Sequence, residues 1–298
     1  MKVGIYGQFY HKNSEIFIQQ LFDLIEKADI DFYIEKGFST IIKENEIIDK
    51  RYYNFPTFEK LDNSFDLLFS IGGDGTTLKG VNLVKDLNIP IVGINTGRLG
   101  FLATIQKEEV EDSLAAILKG EYVISKRELL SLEINPAEEG EEIEKYFALN
   151  DIVINRKNTT SMITIETWLD GQYLNSYWAD GLIVTTATGS TGYSLSCGGP
   201  IISPGTDAIA LTPIAPHNLN ARPLIIPSDT EIIMSVKTRA DEFLVSMDSE
   251  MMSLEKGTQL QIKKAPFTIS LVAIDEGSFI RTLRQKLLWG EDKRNKKQ

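Results

Sequence analysis

Residues 65–80, Phe-Asp-Leu-Leu-Phe-Ser-Ile-Gly-Gly-Asp-Gly-Thr-Thr-Leu-Lys-Gly, decide the fold. Phe65–Ile71 is a short apolar run, the pattern of a strand buried on both faces. It runs straight into Gly72-Gly73-Asp74-Gly75, and Thr76–Leu87 then reads as a helix. Glycines between a strand and a helix let backbone N–H groups approach a phosphate chain, and the helix N-terminus favours negative charge. Gly72, Gly73, Gly75 and Thr76 are therefore the candidate phosphate-binding residues. A carboxylate inside such a turn is unexpected, because Asp74 repels phosphates unless it holds a metal ion or takes a proton from an attacking hydroxyl. The plainer alternative is a tight turn in which Asp74 caps the helix.

Outward from this turn, the first third of the chain alternates strand and helix signals. Lys2–Tyr6, Asp31–Ile34 and Ile89–Ile94 read as strands. Ile18, Leu21, Phe22, Ile25 and Ala28 recur at helical spacing after Ser14, and Val110, Leu114, Ile117 and Leu118 mark a helix stopping at Gly120. Strands separated by helices predict a parallel sheet. Beyond about residue 125 strand signals dominate: Leu130–Ile134, Tyr146–Ile154, Ile163–Leu169, Gly181–Thr186, Glu231–Val236, Phe243–Met247, Gln259–Lys263 and Thr268–Ile274. Asp170-Gly171 marks a hairpin, and Glu138 to Glu144 an exposed loop. Phe279–Trp289 is helical again, with Ile280, Leu283 and Leu287 on one face. The expected architecture is an α/β Rossmann-like domain over 1–125, a β-rich domain over 126–278, and a helix with a basic tail over 279–298.

Composition narrows the chemistry. The 298 residues carry 31 Lys and Arg against 42 Asp and Glu, a net charge of −11. That excludes a dedicated nucleic-acid surface and disfavours anionic bilayers. One cysteine, Cys197, and two histidines, His11 and His217, cannot supply a disulfide framework or a Cys/His zinc site, so no resident metal is expected. No secretory signal and no stretch of 18 apolar residues is visible, which points to a cytoplasmic protein. His217, between prolines and uncharged residues, reads as structural, and Cys197 as a buried, inert thiol. GxxxxGK[ST], a strict GxGxxG and the protein-kinase motifs are all absent.

Two further features carry chemistry. After Asp180-Gly181 and a strand comes Thr188-Gly189-Ser190-Thr191-Gly192-Tyr193-Ser194-Leu195-Ser196, then Gly198-Gly199-Pro200. This loop is rich in donors, and Tyr193 offers a face on which a base could stack. From Gly181 to Ala221 the only formal charge is Asp207, so an anionic ligand would meet little repulsion there. The other feature is Leu149-Asn150-Asp151, an amide beside a carboxylate in an apolar run; by itself a turn explains it better than a binding role.

GGDGT at 72–76, LND at 149–151 and TGSTGYSLSCGGP at 188–200, in this order, resemble the NAD kinases. The likeness extends to NTGRLGFL at 95–102, DGLIV at 180–184, APHNLNARPL at 215–224 and SMDSE at 246–250. It implies transfer of the ATP γ-phosphate to the 2′-hydroxyl of the adenosine ribose of NAD, with Asp74 as the base. It further implies that Gly75 approaches the phosphates and Lys79 the anionic ligand. Asn150 and Asp151 would bind the adenosine part, and Asp180 with Trp178 the nicotinamide half. Thr191, Gly192, Tyr193, Ser194, Leu195 and Ser196 would enclose adenine, and Ala215 would make a backbone contact. Mg²⁺ is expected with ATP, and a homodimer or homotetramer is implied. Gly192 and Cys197 stand where the family commonly has alanine, and Glu250 where glutamine is frequent, so no contact is carried to Glu250. A lipid kinase of the diacylglycerol or sphingosine type shares the GGDGT turn, and a non-catalytic dinucleotide sensor is the other alternative.

Overall fold

Asp74 opens a helix directly after the fourth strand of a parallel sheet, and the chain around it follows the expected alternation. The computed structural model describes residues 1–8, 14–28, 30–135, 145–157, 161–275 and 277–289. The acidic stretch 138–144, His11 and the basic residues beyond 289 lie outside the described residues. In chain order the first elements are β1 (Lys2–Gly7), α1 (Ser14–Lys27), β2 (Asp31–Glu35), α2 (Lys36–Glu44), β3 (Thr57–Phe58), β4 (Leu67–Gly72), α3 (Asp74–Val84), β5 (Ile91–Asn95), β6 (Ile105–Gln106) and α4 (Val110–Leu118). The second set is β7 (Val123–Ile134), β8 (Lys145–Ala148), β9 (Asp151–Arg156), β10 (Ile163–Leu169), β11 (Gln172–Ala179), β12 (Gly181–Thr186), α5 (Tyr193–Ser196), β13 (Ala208–Ile214), β14 (Leu224–Pro227), β15 (Ile232–Lys237), β16 (Glu242–Met247), β17 (Glu250–Glu255) and β18 (Gln259–Ala273). The helix α6 (Ser278–Leu287) follows.

The chain divides into two compact units, Met1–Lys126 with the residues from Ile269 onward, and Arg127–Thr268. In the first unit the strand order is β3-β2-β1-β4-β5, all parallel, and the last residues of β18 join β5 at Leu271 opposite Ile91. Sequence reading places Thr268–Ile274 in the second domain; this pairing draws the segment into the first. Both faces of the sheet are covered, and Ile5, Ile18, Leu21, Phe22, Phe69, Ile71, Val92, Ile94 and Val272 form its core. The chain winds outward from β1 to β3 and then returns to β4 on the other side of β1. At such a reversal the carboxyl ends of adjacent strands open a crevice that receives ligands. Gly72 and Gly73 stand at the carboxyl end of β4.

The second unit is built from antiparallel strands. β14-β13-β12-β9-β16-β17 form one sheet; β11-β10-β15 with the start of β18, and β7 with β8, form the other. Alternating side chains such as Ile152, Ile154, Ile163, Ile165, Leu182, Val184, Met234, Phe243, Val245 and Leu260 fill the layer between them. Asp170 (φ 47°) and Gly171 (φ 76°) make the expected two-residue hairpin between β10 and β11. Three elements differ from the sequence reading. Tyr146–Ile154 is not one strand, because Leu149-Asn150 breaks it between β8 and β9. Residues 259–263 and 268–274 are not separate strands but parts of β18, which runs on through Pro266. On α6 the buried face carries Thr282 and Leu283, whereas Ile280 is exposed.

Candidate functional site

In the first unit the candidate residues gather at the Gly72–Thr76 turn. Gly73 caps α3 and its carbonyl accepts from the amides of Thr76 (3.0 Å) and Thr77 (3.1 Å). A Cβ at Gly72 would come within 2.2 Å of the Thr76 hydroxyl, so glycine there is a packing requirement. At Gly73 and Gly75 a Cβ would meet nothing within 4 Å, so a ligand can come close to the backbone. The amides of Asp74 and Gly75 stand in the first turn, where no intrahelical carbonyl reaches them and the helix dipole is positive. Lys79 lies further along α3 and is exposed.

Asp74 does not cap its own helix. Its carboxylate accepts backbone N–H groups from a different loop: Oδ2 from Phe101 (2.8 Å), Oδ1 from Leu102 (2.9 Å) and Ala103 (3.0 Å). A Cβ at Gly100 would fall 1.9 Å from Oδ1, which explains the glycine. Buried Asn95 shapes the loop: its Oδ1 accepts from Gly97 N (2.7 Å) and its Nδ2 donates to the Arg98 carbonyl (2.6 Å). Phe101 is covered by the α6 side chains Phe279, 6.0 Å between ring centroids, and Lys286, 5.0 Å from the ring. A carboxylate has about four acceptor positions. Three are filled here, and Oδ2 keeps one for a hydroxyl.

A separate candidate region lies in the Arg127–Thr268 unit, around the break at Leu149-Asn150. Asp248, in the left-handed region at φ 51°, accepts the amides of Leu149 (2.8 Å), Asn150 (2.8 Å) and Asp151 (3.2 Å). On the other side the Asn150 carbonyl accepts from the amide of Thr186 (2.9 Å) and the hydroxyl of Thr185 (3.0 Å). Both ends of the break are thus fixed and the Asn150 side chain is left half-buried. Asp151 is buried; burial, with the Asp248 charge adding to it, pushes its carboxyl up to about 7. Burial also raises Asp248, against the three amides that favour its charged form.

The loop after β12 divides its hydroxyls between framework and surface. Ser190 is buried, donates to Ala187 O (2.7 Å) and accepts from Ile202 N (2.9 Å). Ser194 is buried and bonded to the Thr212 hydroxyl at 2.9 Å, so its hydroxyl is occupied by the fold. Thr191 and Leu195 are half-buried, and Gly192, Tyr193 and Ser196 are exposed. A Cβ at Gly192 would approach the Asp151 Oδ2 to 4.0 Å, which brings the loop beside that carboxylate. Cys197 is half-buried rather than buried, and burial pushes its thiol up, which keeps it protonated. Asp180 is not a lone carboxylate: Arg156 pairs with it at 3.0 Å, both about 30 % exposed. Trp178 is exposed and its ring lies 5.2 Å from that of His217, which is itself exposed rather than packed inside. Ala215 holds φ 43°, an uncommon conformation for a residue with a side chain.

Among the described residues no three His, Cys, Asp or Glu side chains gather as a metal site, and no helix is long and apolar enough to cross a membrane. The family model described as the ATP-NAD kinase N-terminal domain matches residues 3–122, and that of the ATP-NAD kinase C-terminal domain matches 149–274. The chain belongs to the NAD kinase family. The NAD kinase of Christiangramia forsetii is 57% identical over 295 residues, covering 99% of this chain and all of that one. The NAD kinase of Flavobacterium psychrophilum is 53% identical over 296 residues, with the same coverage. Among solved structures, yeast NADH kinase complexed with NADH superposes with a TM-score of 0.83 at 25% identity, covering 98% of this chain and 88% of that one. An Archaeoglobus fulgidus NAD kinase in complex with ATP shares the fold, with a TM-score of 0.73 at 23% identity over 97% and 99%. The two-domain NAD kinase fold, α/β then β-rich, is therefore the fold of this chain.

Sequence reasoning missed Asp248, Asn95 and Gly100 as site-shaping residues, although the segments containing them carry the family likeness. Asp248 is 97–99 residues from the amides it holds, and no local pattern signals such a bond. It also missed the Arg156 partner of Asp180.

Proposed function

We propose that the chain is an ATP-dependent NAD kinase that phosphorylates the 2′-hydroxyl of the adenosine ribose. The observation that carries this reading is full-length identity of 57% to a NAD kinase, joined to a carboxylate held ready in the GGDGT turn. Lipid kinases share that turn, but not the family match on both domains.

Phosphoryl transfer requires alignment, charge neutralisation and an activated hydroxyl, without a covalent intermediate. Asp74 accepts the 2′-hydroxyl proton at the open position of Oδ2, while its other acceptor positions stay on the 101–103 amides. The phosphates take the amides of Asp74 and Gly75 at the α3 N-terminus beside the open Gly73 backbone, with Thr76 holding the turn in shape and Lys79 supplying a cation. Asn150 and Asp151 bind the adenosine, and Tyr193 lies against adenine with Thr191, Gly192, Leu195 and Ser196 around it. Ser194 contributes through its position in the loop. Asp180 and Trp178 face the nicotinamide half, and the strained Ala215 backbone presents its carbonyl or amide to the dinucleotide. Mg²⁺ enters as part of the MgATP substrate and screens the phosphates. The protein works in the cytoplasm as a homodimer or homotetramer; exposed Leu219, Ile225 and Met251 on the second unit suit self-association.

The test is incubation of the purified chain with ATP, Mg²⁺ and NAD, followed by chromatography for NADP. NADP formation is expected; its absence, with lipid phosphorylation in its place, overturns the reading.

A further inference from the structure

Arg127 begins the second unit on β7 and is buried to 91 %, with 9 % of its surface exposed. Among the described residues its one hydrogen bond runs from a terminal guanidinium nitrogen to the Thr188 hydroxyl at a long 3.4 Å, and its Nε is buried without a partner there. Among the described residues it forms no ion pair, whereas its β7 neighbour Glu128 is paired with Lys264. Burial lowers the guanidinium to about 10, so it still carries its charge at neutral pH. An ionised group out of water without a counter-charge is costly, by several kcal/mol per ion. Buried charges are normally paired, so an unpaired one is a place where an anionic ligand could supply the missing charge. Thr188 is also buried and begins the loop in which the Ser190 and Ser194 hydroxyls are committed to the framework.

We propose that Arg127 is an anion-binding residue that, with the Thr188 hydroxyl, takes a phosphoryl group of the nucleotide substrates. This deepens the NAD kinase reading and rests on it for the identity of the ligand. The guanidinium presents planar, charged donors to phosphoryl oxygens, and the terminal nitrogens on the Thr188 side are the ones that would make the contact. The phosphoryl group belongs either to the triphosphate chain of ATP or to the pyrophosphate of NAD, and the two sources share the same chemistry. Arg127 is absent from every sequence motif that marks the site, because its signal is burial without a partner.

The experiment compares wild type, Arg127→Met and Arg127→Lys by thermal melting with and without inorganic tripolyphosphate, and by NADP formation. Wild-type turnover tests the kinase reading separately, and the melting shift reports anion binding without any turnover. If Arg127 binds phosphate, R127M melts at or above the wild-type temperature, because an uncompensated charge is gone, and tripolyphosphate no longer raises its melting point. The KM for one nucleotide rises about 10–100-fold, the range for losing a charge-assisted hydrogen bond. A rise for ATP alone assigns the donor phosphates, and a rise for NAD alone the acceptor pyrophosphate. R127K, which keeps a point charge, recovers part of the loss. A structural arginine gives the opposite result: R127M melts lower, keeps the tripolyphosphate shift and keeps both KM values, and that outcome overturns the proposal.

Discussion

Asp151 and Asp248 are tied in both directions: Asp248 Oδ1 accepts the Asp151 amide at 3.2 Å, and the Asp248 amide donates to the Asp151 carbonyl at 3.1 Å. Buried Asp151 is thereby held beside half-buried Asp248, whose charge adds to the burial that raises the Asp151 carboxyl.

The pair makes stability depend on pH with an unusual sign. Burial raises Asp151 from 3.8 to about 7, so the folded chain binds this proton more tightly than the unfolded one. Its contribution is therefore most favourable below the ordinary carboxylate range and is lost as pH rises through about 7. Melting temperature should fall between about pH 5 and pH 8, and Asp151→Asn should flatten that slope. An identical slope in the variant would remove Asp151 as its source.

For Asp74→Asn, turnover should drop about 10²–10⁴-fold, the usual contribution of a positioned base. NAD binding should change little. The variant also leaves one of the three loop amides without an oxygen to bond, which costs about 1–3 kcal/mol of stability. Steady-state kinetics with a direct NAD titration separates the effects; near-normal turnover rules out the base role.

Gly100→Ala tests whether the loop matters when the carboxylate is intact. The new Cβ would sit 1.9 Å from Asp74 Oδ1, so the loop or the carboxylate must shift. Overpacking of this kind costs about 1–3 kcal/mol. Turnover should fall although every proposed chemical group remains. Wild-type kcat in a properly folded G100A protein would show that the amide clamp is dispensable.

Arg156→Ala should alter the preference between NAD and NADH. With its partner removed, Asp180 carries an unneutralised charge that favours the cationic nicotinamide over the neutral reduced ring. Partly exposed ion pairs contribute about 0.2–1 kcal/mol, so the ratio of kcat/KM values should move toward NAD by about 2–5-fold. A shift toward NADH, or none, would separate Asp180 from the nicotinamide end.

Sequence and structure agree where the signal is local. The strand, glycine turn and helix around Gly72 are legible because one run of residues carries apolar burial, turn chemistry and helix start together. The Asp170-Gly171 hairpin is legible for the same reason. Helix α2 is not, because it is short and its cap is Glu35, whose carboxylate accepts from Gly37 and Phe38 where Ser, Thr, Asp or Asn is the usual signal. The roles of the hydroxyls at 188–196 cannot be read from composition: Ser190 and Ser194 look like ligand donors until Ile202 and Thr212 are seen to occupy them. The partners of Asp74, 27–29 residues away, and of Asp248 depend on tertiary structure throughout.

The order of synthesis gives the course of β18 a biological weight. Residues 1–126 leave the ribosome before the whole second unit, yet Leu271 beside Ile91 and the α6 side chains on Phe101 come from residues beyond 268. A nascent chain halted in the second unit has the GGDGT turn, but β5 lacks its β18 partner at Ile91 and Phe101 lacks the α6 side chains. Truncated products should be prone to edge-to-edge aggregation and devoid of kinase activity. Competence to phosphorylate thus arrives only once the residues beyond 268 have followed the whole second unit.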